Sequence, residues 1–504
     1  MKKTLALVTA SALVMSTLAG CGGAVTSSST TEAPTTTAQE TTANAKVEEV
    51  ESEVAGVSDT SSNKDYSGIT LNFAMDLGSD ANTVAVTESI IDAYEQATGI
   101  VIDFTNISED YRTWLATQFS ANQGPDVYNG ILYDMTVDYQ AGYLYNFADL
   151  YENESAYDPD KPWKDTLPES ILERMYIADG TVPGIPTTSQ VVRIFYNADM
   201  FADAGCEVPT TWAEYMETCQ KLKDKGYIPF GFPNASKGDL SWLWFCNSIS
   251  NQLNHAQLAE LDVSGNGYAE LNEMVKAFKE GKLDFTSEPF KESYQLMADF
   301  SEFWISDYNG LDQSTAYDMF MRGEVAMVQG MSTNMTKFAE GSGGEFEIGV
   351  MPVPMISEET SQYSYGQSVV LGGQPDIIFG INKACESDEK KLEAAIDFVQ
   401  YLASPEIQLT LCDAIDRLPL ANSTELPERL QGFIIVEDAL RTPYYTGVNN
   451  EWRDYFQRGG QMLLEGSLSL DDYCEYLNES FDTVCDQLMA ENGWSAENNY
   501  GIVQ

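Results

Sequence analysis

Histidine is almost missing from this chain of 504 residues: there is one, His255. A Ser-His-Asp or Cys-His catalyst, or a histidine-based metal centre, would have to be built on that one ring. It stands in N-Q-L-N-H-A-Q-L-A-E-L, a polar helical stretch with no nucleophile motif beside it. Also absent are G-x-S-x-G, the phosphate-binding G-x-x-x-x-G-K-[ST] and a G-x-G-x-x-G following a strand. Basic residues are scarce. Lys and Arg number 27 against 78 Asp and Glu, a net charge of −51, and a field of that sign repels nucleic acid and anionic membrane surfaces. The eight cysteines form no C-x-x-C and match no zinc module. Apart from Cys21 they are Cys206, Cys219, Cys246, Cys385, Cys412, Cys474 and Cys485, an odd set that reads as buried free thiols. Neither a cofactor nor a metal is implied. Carboxylates are so numerous that catalysis by an acidic pair stays open, and for the same reason no pair stands out.

What is present begins with Met1-Lys2-Lys3 and an uncharged apolar or small-residue run over residues 4–19. That run is too short and too rich in Ala and Thr for a membrane span and reads as a secretory signal over residues 1–20. It ends in L-A-G-C, which resembles the bacterial lipobox. The resemblance implies cleavage before Cys21 and diacylation of its sulfur, and two acyl chains suffice for stable anchoring. Residues 22–64 contain no aromatic residue and are dominated by Ser, Thr, Ala, Gly, Val and Glu. Such a composition buries too little apolar surface to offset its ordering entropy, so residues 21–66 are expected to be a flexible tether.

From residue 67 the pattern changes. I-T-L-N-F-A-M alternates as a strand does. The next segment places Val86, Ile90, Ile91 and Tyr94 on one helical face and ends at Gly99. I-V-I-D-F-T-N-I is a second strand, Y-R-T-W-L-A-T-Q-F-S-A a helix, and G-P-D-V-Y-N-G leads into a third strand. Strands alternating with helices predict an α/β fold with a mainly parallel sheet flanked by helices. Ligands of such sheets bind beyond the carboxyl ends of the strands. That rule places Asp76, in the loop after the first strand, and Asn129, at the end of the third, on a ligand-facing edge.

Residues 184–215 then carry a G-I-P entry, a strand ending in Y-N-A-D, a helix ending in A-G, and V-P-T-T-W leading into the next helix. Thr210 or Thr211 is placed to cap that helix, with Pro209 enforcing an extended approach. This stretch resembles the family 1 extracellular solute-binding proteins of bacterial ABC importers. G-P-D-V (124–127), F-M-R-G-E-V-A-M-V-Q-G (320–330), I-G-V-M-P-V-P (348–354) and F-V-Q-Y-L-A-S-P-E-I-Q (398–408) fall in that family's order. The resemblance covers nearly all of the body. It implies a two-lobed, periplasmic-binding-protein-like (type II) fold with ligand in the cleft between the lobes. Residues 67–186 and 374–440 would form lobe 1, and residues 187–373 and 441–504 lobe 2. It further implies a non-enzymatic, monomeric protein on the extracellular face of the cell membrane, binding a small carbohydrate and serving permease subunits.

Sugars offer apolar C–H faces and hydroxyl rings, which call for aromatic platforms and planar amides. N-N-E-W-R-D-Y-F (449–456) resembles the segment where sugar-binding relatives carry a stacking tryptophan, which makes Trp452 the leading platform. Trp242 lies early in a helix that resembles the family's cleft-lining one. Ser332 and Asn334 follow the A-M-V-Q-G strand, where many relatives have a tryptophan and this chain does not. Trp114, Trp163, Trp212 and Trp304 read as core. D-V-S-G-N-G-Y-A-E-L-N-E (262–273) fits a calcium loop at Asp262, Ser264, Asn266, Gly267 and Glu273, but Ser264 and Ala269 fit poorly, and a capped turn is the expected structure. Two other readings stay open: a lipoprotein for a non-sugar solute such as a peptide or polyamine, and a secreted glycoside hydrolase using two carboxylates.

Overall fold

The computed structural model describes residues 64–78, 81–177, 180–236, 238–263, 269–421, 425–435, 440–441 and 445–502. The expected signal segment, Cys21 and nearly all of the tether lie outside the described residues, as do residues 264–268 of the acidic loop.

The first βαβαβ unit forms as its periodicity dictates. β1 (Thr70–Met75) buries Leu71, Phe73, Ala74 and Met75. α1 (Ala81–Thr98) buries Val86, Ile90, Ile91 and Tyr94 on one stripe. It stops where Gly99, at φ +71, donates its amide to Glu95 O at 2.8 Å. β2 (Val101–Asn106), α2 (Tyr111–Ser120), β3 (Val127–Gly130) and α3 (Leu132–Gln140) follow. β1 pairs in parallel with both β2 and β3. The P-D pair before β3 has a structural cause. Asp126 is 7% exposed, accepts from Asn72 N at 2.8 Å and Asn72 Nδ2 at 3.0 Å, and faces Lys391 Nζ at 2.7 Å. One carboxylate thereby joins β1, β3 and the later helix that carries Lys391.

β4 (Ile185–Asn197) is the long strand of the molecule. After it come α4 (Trp212–Asp224), β5 (Ile228–Phe230), α5 (Ser241–Leu253), α6 (His255–Ala259), α7 (Leu271–Lys279), α8 (Glu288–Phe300), β6 (Val325–Met331) and β7 (Ile348–Met351). The chain then passes through β8 (Gly372–Ile381), α9 (Glu389–Leu402), α10 (Pro405–Ile415), β9 (Leu418–Pro419), α11 (Asn450–Leu464) and α12 (Leu470–Asn492). The sheet runs β2-β1-β3-β8-β4-β6-β5, and β9 and β7 also pair with β4. The cap predicted at Thr210 or Thr211 is Thr211: its Oγ1 accepts from Glu214 N at 3.3 Å, and Glu214 Oε2 accepts from Thr210 N and Thr211 N.

Apolar side chains collect in separate cores at the two ends of this sheet. Leu71, Phe73, Tyr94, Phe379, Phe398 and Tyr401 belong to the first. Trp212, Trp242, Phe300, Trp452 and Phe481 belong to the second, which also holds Ile194 of β4. A third cluster joins Phe195, Phe338 and Phe433. Leu430 and Phe433, expected with the first lobe, pack in this third cluster; the Phe433 ring lies 5.6 Å from Phe195. Arg193 explains the attachment. It is 4% exposed, and its guanidinium donates to the carbonyls of Val192, Gly432, Phe433 and Ile434 at 3.1–3.4 Å. Burial pulls its pKa down to about 10.

β4 and β8 carry the chain between the cores. Ile185 sits in the first core and Ile194 in the second. β4 pairs with β8 near one end and with β6 and β7 near the other. The β8 register slips between Gly372 and Ile378. Gly372 has φ +98, and a Cβ there would stand 2.3 Å from Gln190 O, so only glycine fits this approach. Beside it Asp376 accepts from Thr188 Oγ1 at 2.5 Å and from Arg417 Nε at 2.6 Å.

Candidate functional site

The carboxyl ends of β1 and β3 bring two of the expected residues together. The Asp76 amide donates to Asn129 Oδ1 at 3.3 Å, and Asp76 Oδ1 accepts from Gly78 N at 3.1 Å. Asp76 is exposed and Asn129 is 6% exposed. Asn106 closes the same loop, accepting from Leu77 N at 3.0 Å and donating to Gly78 O at 2.9 Å. Beneath it, Asp138 takes both terminal nitrogens of Arg112 at 2.6 Å and the Tyr128 hydroxyl at 2.9 Å. This edge is therefore rigidly held, with the Asp76 carboxylate at its surface.

The aromatic surface on this edge was not found from the sequence. Tyr133, the second residue of α3, is 72% exposed, and Ile131 before it is 50% exposed. Tyr111 and Trp114 are half-buried, stacked at 6.3 Å and 14°, and the Tyr111 hydroxyl donates to Ala74 O at 3.0 Å. Trp114, read as core, thus borders the end of β1. The position of Tyr133 just past the carboxyl end of a parallel strand was the available signal.

At the other end of the sheet, β5 and β6 run parallel. Ser332, directly after β6, is fully buried, and its hydroxyl has no partner among the described residues. Gln329 in β6 is likewise fully buried with neither amide atom partnered. Buried polar groups almost always find a partner, so these two stand out beside the carboxyl end of β6. Asn334 is instead used within the fold: its Oδ1 accepts from Met331 N at 2.9 Å and shapes the turn.

Both tryptophans expected as platforms are corrected by their surroundings. Trp452 has no exposed surface. Its indole lies 4.7 Å from Phe481, 5.4 Å from Phe285 and 5.6 Å from Phe456, and Nε1 donates to Tyr445 O at 2.8 Å. Both its faces and its edge are spent inside the second core. Asn449 caps α11 by accepting from Trp452 N at 2.7 Å. Trp242 is also unexposed and lies against the backbone at Gly460, where a Cβ would meet the indole at 2.4 Å. Trp163, Trp212 and Trp304 are buried as expected.

The cations nearest the crossing strands are committed. Arg417 is paired with Asp376, and Arg429 with Asp413 and Asp416. The described cysteines are all free. No group of acidic, histidine or cysteine side chains able to hold a metal occurs among the described residues, and none of the described helices is long and apolar enough to cross a membrane. In the acidic loop Glu273 turns to its own helix, where it accepts from Glu270 N at 2.8 Å at the start of α7.

Comparison with known proteins meets this geometry. The chain is 26% identical over 324 residues to the sn-glycerol-3-phosphate-binding periplasmic protein UgpB of Rhizobium meliloti, covering 61% of this chain and 64% of that one. It is 24% identical over 319 residues to the multiple sugar-binding protein of Streptococcus mutans, covering 62% and 66%. The chain thus spans just under two thirds of the length of the first of these relatives. Among solved structures, apo RafE of Streptococcus pneumoniae superposes with a TM-score of 0.62 at 18% identity, over 82% of this chain and 98% of that one. A chitin oligosaccharide binding protein superposes at 0.59 and 19%, over 83% and 98%. These likenesses establish the two-lobed type II fold. The profile of the bacterial extracellular solute-binding proteins matches residues 89–432, and with well over half of the chain accounted for, this protein belongs to that family.

Proposed function

We propose that this chain captures a neutral sugar or short oligosaccharide outside the cell and delivers it to the permease of an ABC importer. The observation that supports the reading is the crossing of β4 and β8 between two separate cores, a connection that would serve as a hinge beside a cleft. Residues 67–186 with 374–421 would move against the rest, and a ligand touching both sides would favour the closed form. Tyr133, Asp76 and Asn129 would meet the ligand from the first lobe. Gln329 and Ser332, with Asn334 beside them, would meet it from the second. Tyr133 takes the platform role in place of Trp452, because a stacking ring must present a face to solvent before the ligand arrives.

Relatives named for glycerol phosphate and for sugars leave two ligand charges to choose between. A phosphate needs an uncommitted cation, and Arg417, Arg429 and Arg112 are each held by carboxylates. That favours a neutral polyhydroxyl ligand. Members of this family bind solutes and do not transform them, so the purified body should leave its sugar unchanged. Lipid attachment through Cys21 supplies the tie to the outer face of the membrane. A Cys21→Ser variant should fractionate away from membranes in a bacterial host that processes lipoproteins.

A thermal-shift panel of raffinose, maltotriose, sn-glycerol-3-phosphate, a tripeptide and spermidine tests the ligand class. A ligand at a hundred times its Kd adds roughly 2.7 kcal/mol of stability. Raffinose or maltotriose should raise the melting temperature and glycerol phosphate should not. A shift with glycerol phosphate, the tripeptide or spermidine alone would overturn the neutral-sugar reading.

A further inference from the structure

The corner between α5 and α6 holds a cavity, built from neither strand ends nor crossing strands. It has a volume of about 190 Å³ and is lined by Leu253, Asn254, His255, Gln257, Tyr363 and Tyr365, among others. Asn254 is 3% exposed. Its Nδ2 donates to Ser250 O at 3.1 Å, while its Oδ1 has no partner among the described residues. His255 Nδ1, on the adjoining residue, is unpartnered in the same way. A buried acceptor without a donor is unfavourable unless something outside the fold supplies one.

The wall of the cavity is aromatic. Tyr365 is 50% exposed although its backbone is fixed, its amide donating to Gln252 O at 3.0 Å. Its ring centroid lies 4.0 Å from that of His255 at 47°. Burial lowers the histidine pKa below its ordinary value, so the imidazole is neutral at pH 7. No carboxylate, amine or guanidinium lines the cavity. A phosphate ligand is therefore unmatched. Hydroxyl donors beside an apolar C–H face are matched by the Asn254 oxygen, the imidazole and the Tyr365 ring, all of them residues that line the cavity.

We propose that this cavity is a second binding site, separate from the interlobe cleft, that takes one neutral pyranose unit. The site stands whether or not the cleft takes sugar, since it shares none of the residues proposed for the cleft.

The sole histidine makes the test direct: its two imidazole carbon–proton signals report on this cavity alone. Full-length protein with ¹³C-labelled histidine is titrated with methyl β-glucopyranoside and methyl α-galactopyranoside, with sodium phosphate and methylammonium chloride as controls. At least one glycoside should move the His255 signals saturably and neither control should. Tyr365→Ala should weaken that response roughly tenfold or more with the melting temperature kept near the parent's, because half of this side chain is already in water. Tyr133→Ala should leave the response unchanged, which separates this site from lobe closure around a ligand in the cleft. The proposal is overturned if no glycoside moves the signals, if a control moves them equally, if Tyr365→Ala responds like the parent, or if Tyr133→Ala abolishes the response.

Discussion

Replacing Trp452 with alanine should cost stability and leave ligand affinity per folded molecule unchanged. The indole is unexposed and packs against Phe285, Phe456 and Phe481, all in the second core. A buried tryptophan of this kind covers roughly 150–250 Å². At about 25 cal/mol per Å² that is about 4–6 kcal/mol of transfer free energy. Measured large-to-small core changes of this type fall at about 3–5 kcal/mol, and we take that range. Truncation also strips Tyr445 O of its Nε1 donor at 2.8 Å, leaving a buried carbonyl short of a partner. With a melting entropy of roughly 0.9 kcal/mol/K for a body of about 440 residues, the melting temperature should drop by about 3–6 °C. Trp452→Phe keeps much of the volume but loses the hydrogen bond, so it should fall between parent and alanine. The assay is calorimetric unfolding without ligand, paired with titration calorimetry at a temperature where both proteins are folded. A Trp452→Ala protein that melts like the parent but has lost its ligand would refute the reasoning and return the indole to the binding surface.

Tyr133→Ala should do the reverse: stability without ligand within about 0.5 kcal/mol of the parent, as for an exposed side chain, and affinity weakened by about 2 kcal/mol, roughly thirtyfold, by titration calorimetry. Gly372→Ala forces a side chain into φ +98 and against Gln190 O; it should destabilise by about 1–3 kcal/mol in urea unfolding, and unchanged stability would show that the crossing yields easily. Asp397 is buried, accepts from Tyr94 Oη at 2.7 Å and Tyr157 Oη at 3.1 Å, lies 3.8 Å from Lys64 Nζ, and feels Glu393 and Tyr66; burial raises its pKa. A raised carboxyl binds its proton more tightly when folded, so its stabilising contribution is full below the ordinary carboxylate range and is lost as pH rises through the raised value. Urea unfolding between about pH 4 and 7 should therefore show the parent gaining least, or losing most, against Asp397→Asn at the neutral end; a gap that moves the other way would contradict this assignment.

How much of this was legible in the sequence depends on whether the signal was periodic or relational. The first βαβαβ unit was legible because Val86, Ile90, Ile91 and Tyr94 can share a core only as a helix, and Leu71 and Phe73 only as a strand. The cap was legible to within one residue, Thr210 or Thr211, because Pro209 enforces an extended approach, and the pairing of Thr211 with Glu214 decides between them in the structure. The role of Asp126 was not, because its partners Asn72 and Lys391 lie far away in the chain. Arg193 gave a local hint, a lone charge inside V-V-R-I-F-Y, but its partners are backbone carbonyls, which no residue type announces.

The two tryptophans show why resemblance alone did not announce their burial. Trp452, Phe456, Gly459 and Gly460 fall at i, i+4, i+7 and i+8 of one helix, the spacing of a face turned inward. The glycines lie on that face because rings crowd it: Trp242 occupies the space beside Gly460, and Tyr473 and Tyr476 that beside Gly459. A helix with this face is committed to packing, so its tryptophan cannot also offer a plane to a ligand. Tyr133 stands in the opposite situation. It begins a short helix whose buried side is supplied by Met135 and Asp138, so its ring faces outward, just beyond the end of a parallel strand. An aromatic ring is available to a sugar when its own element has no use for it. That condition can be read from helical spacing and strand order, and it separates Tyr133 from Trp452 on physical grounds.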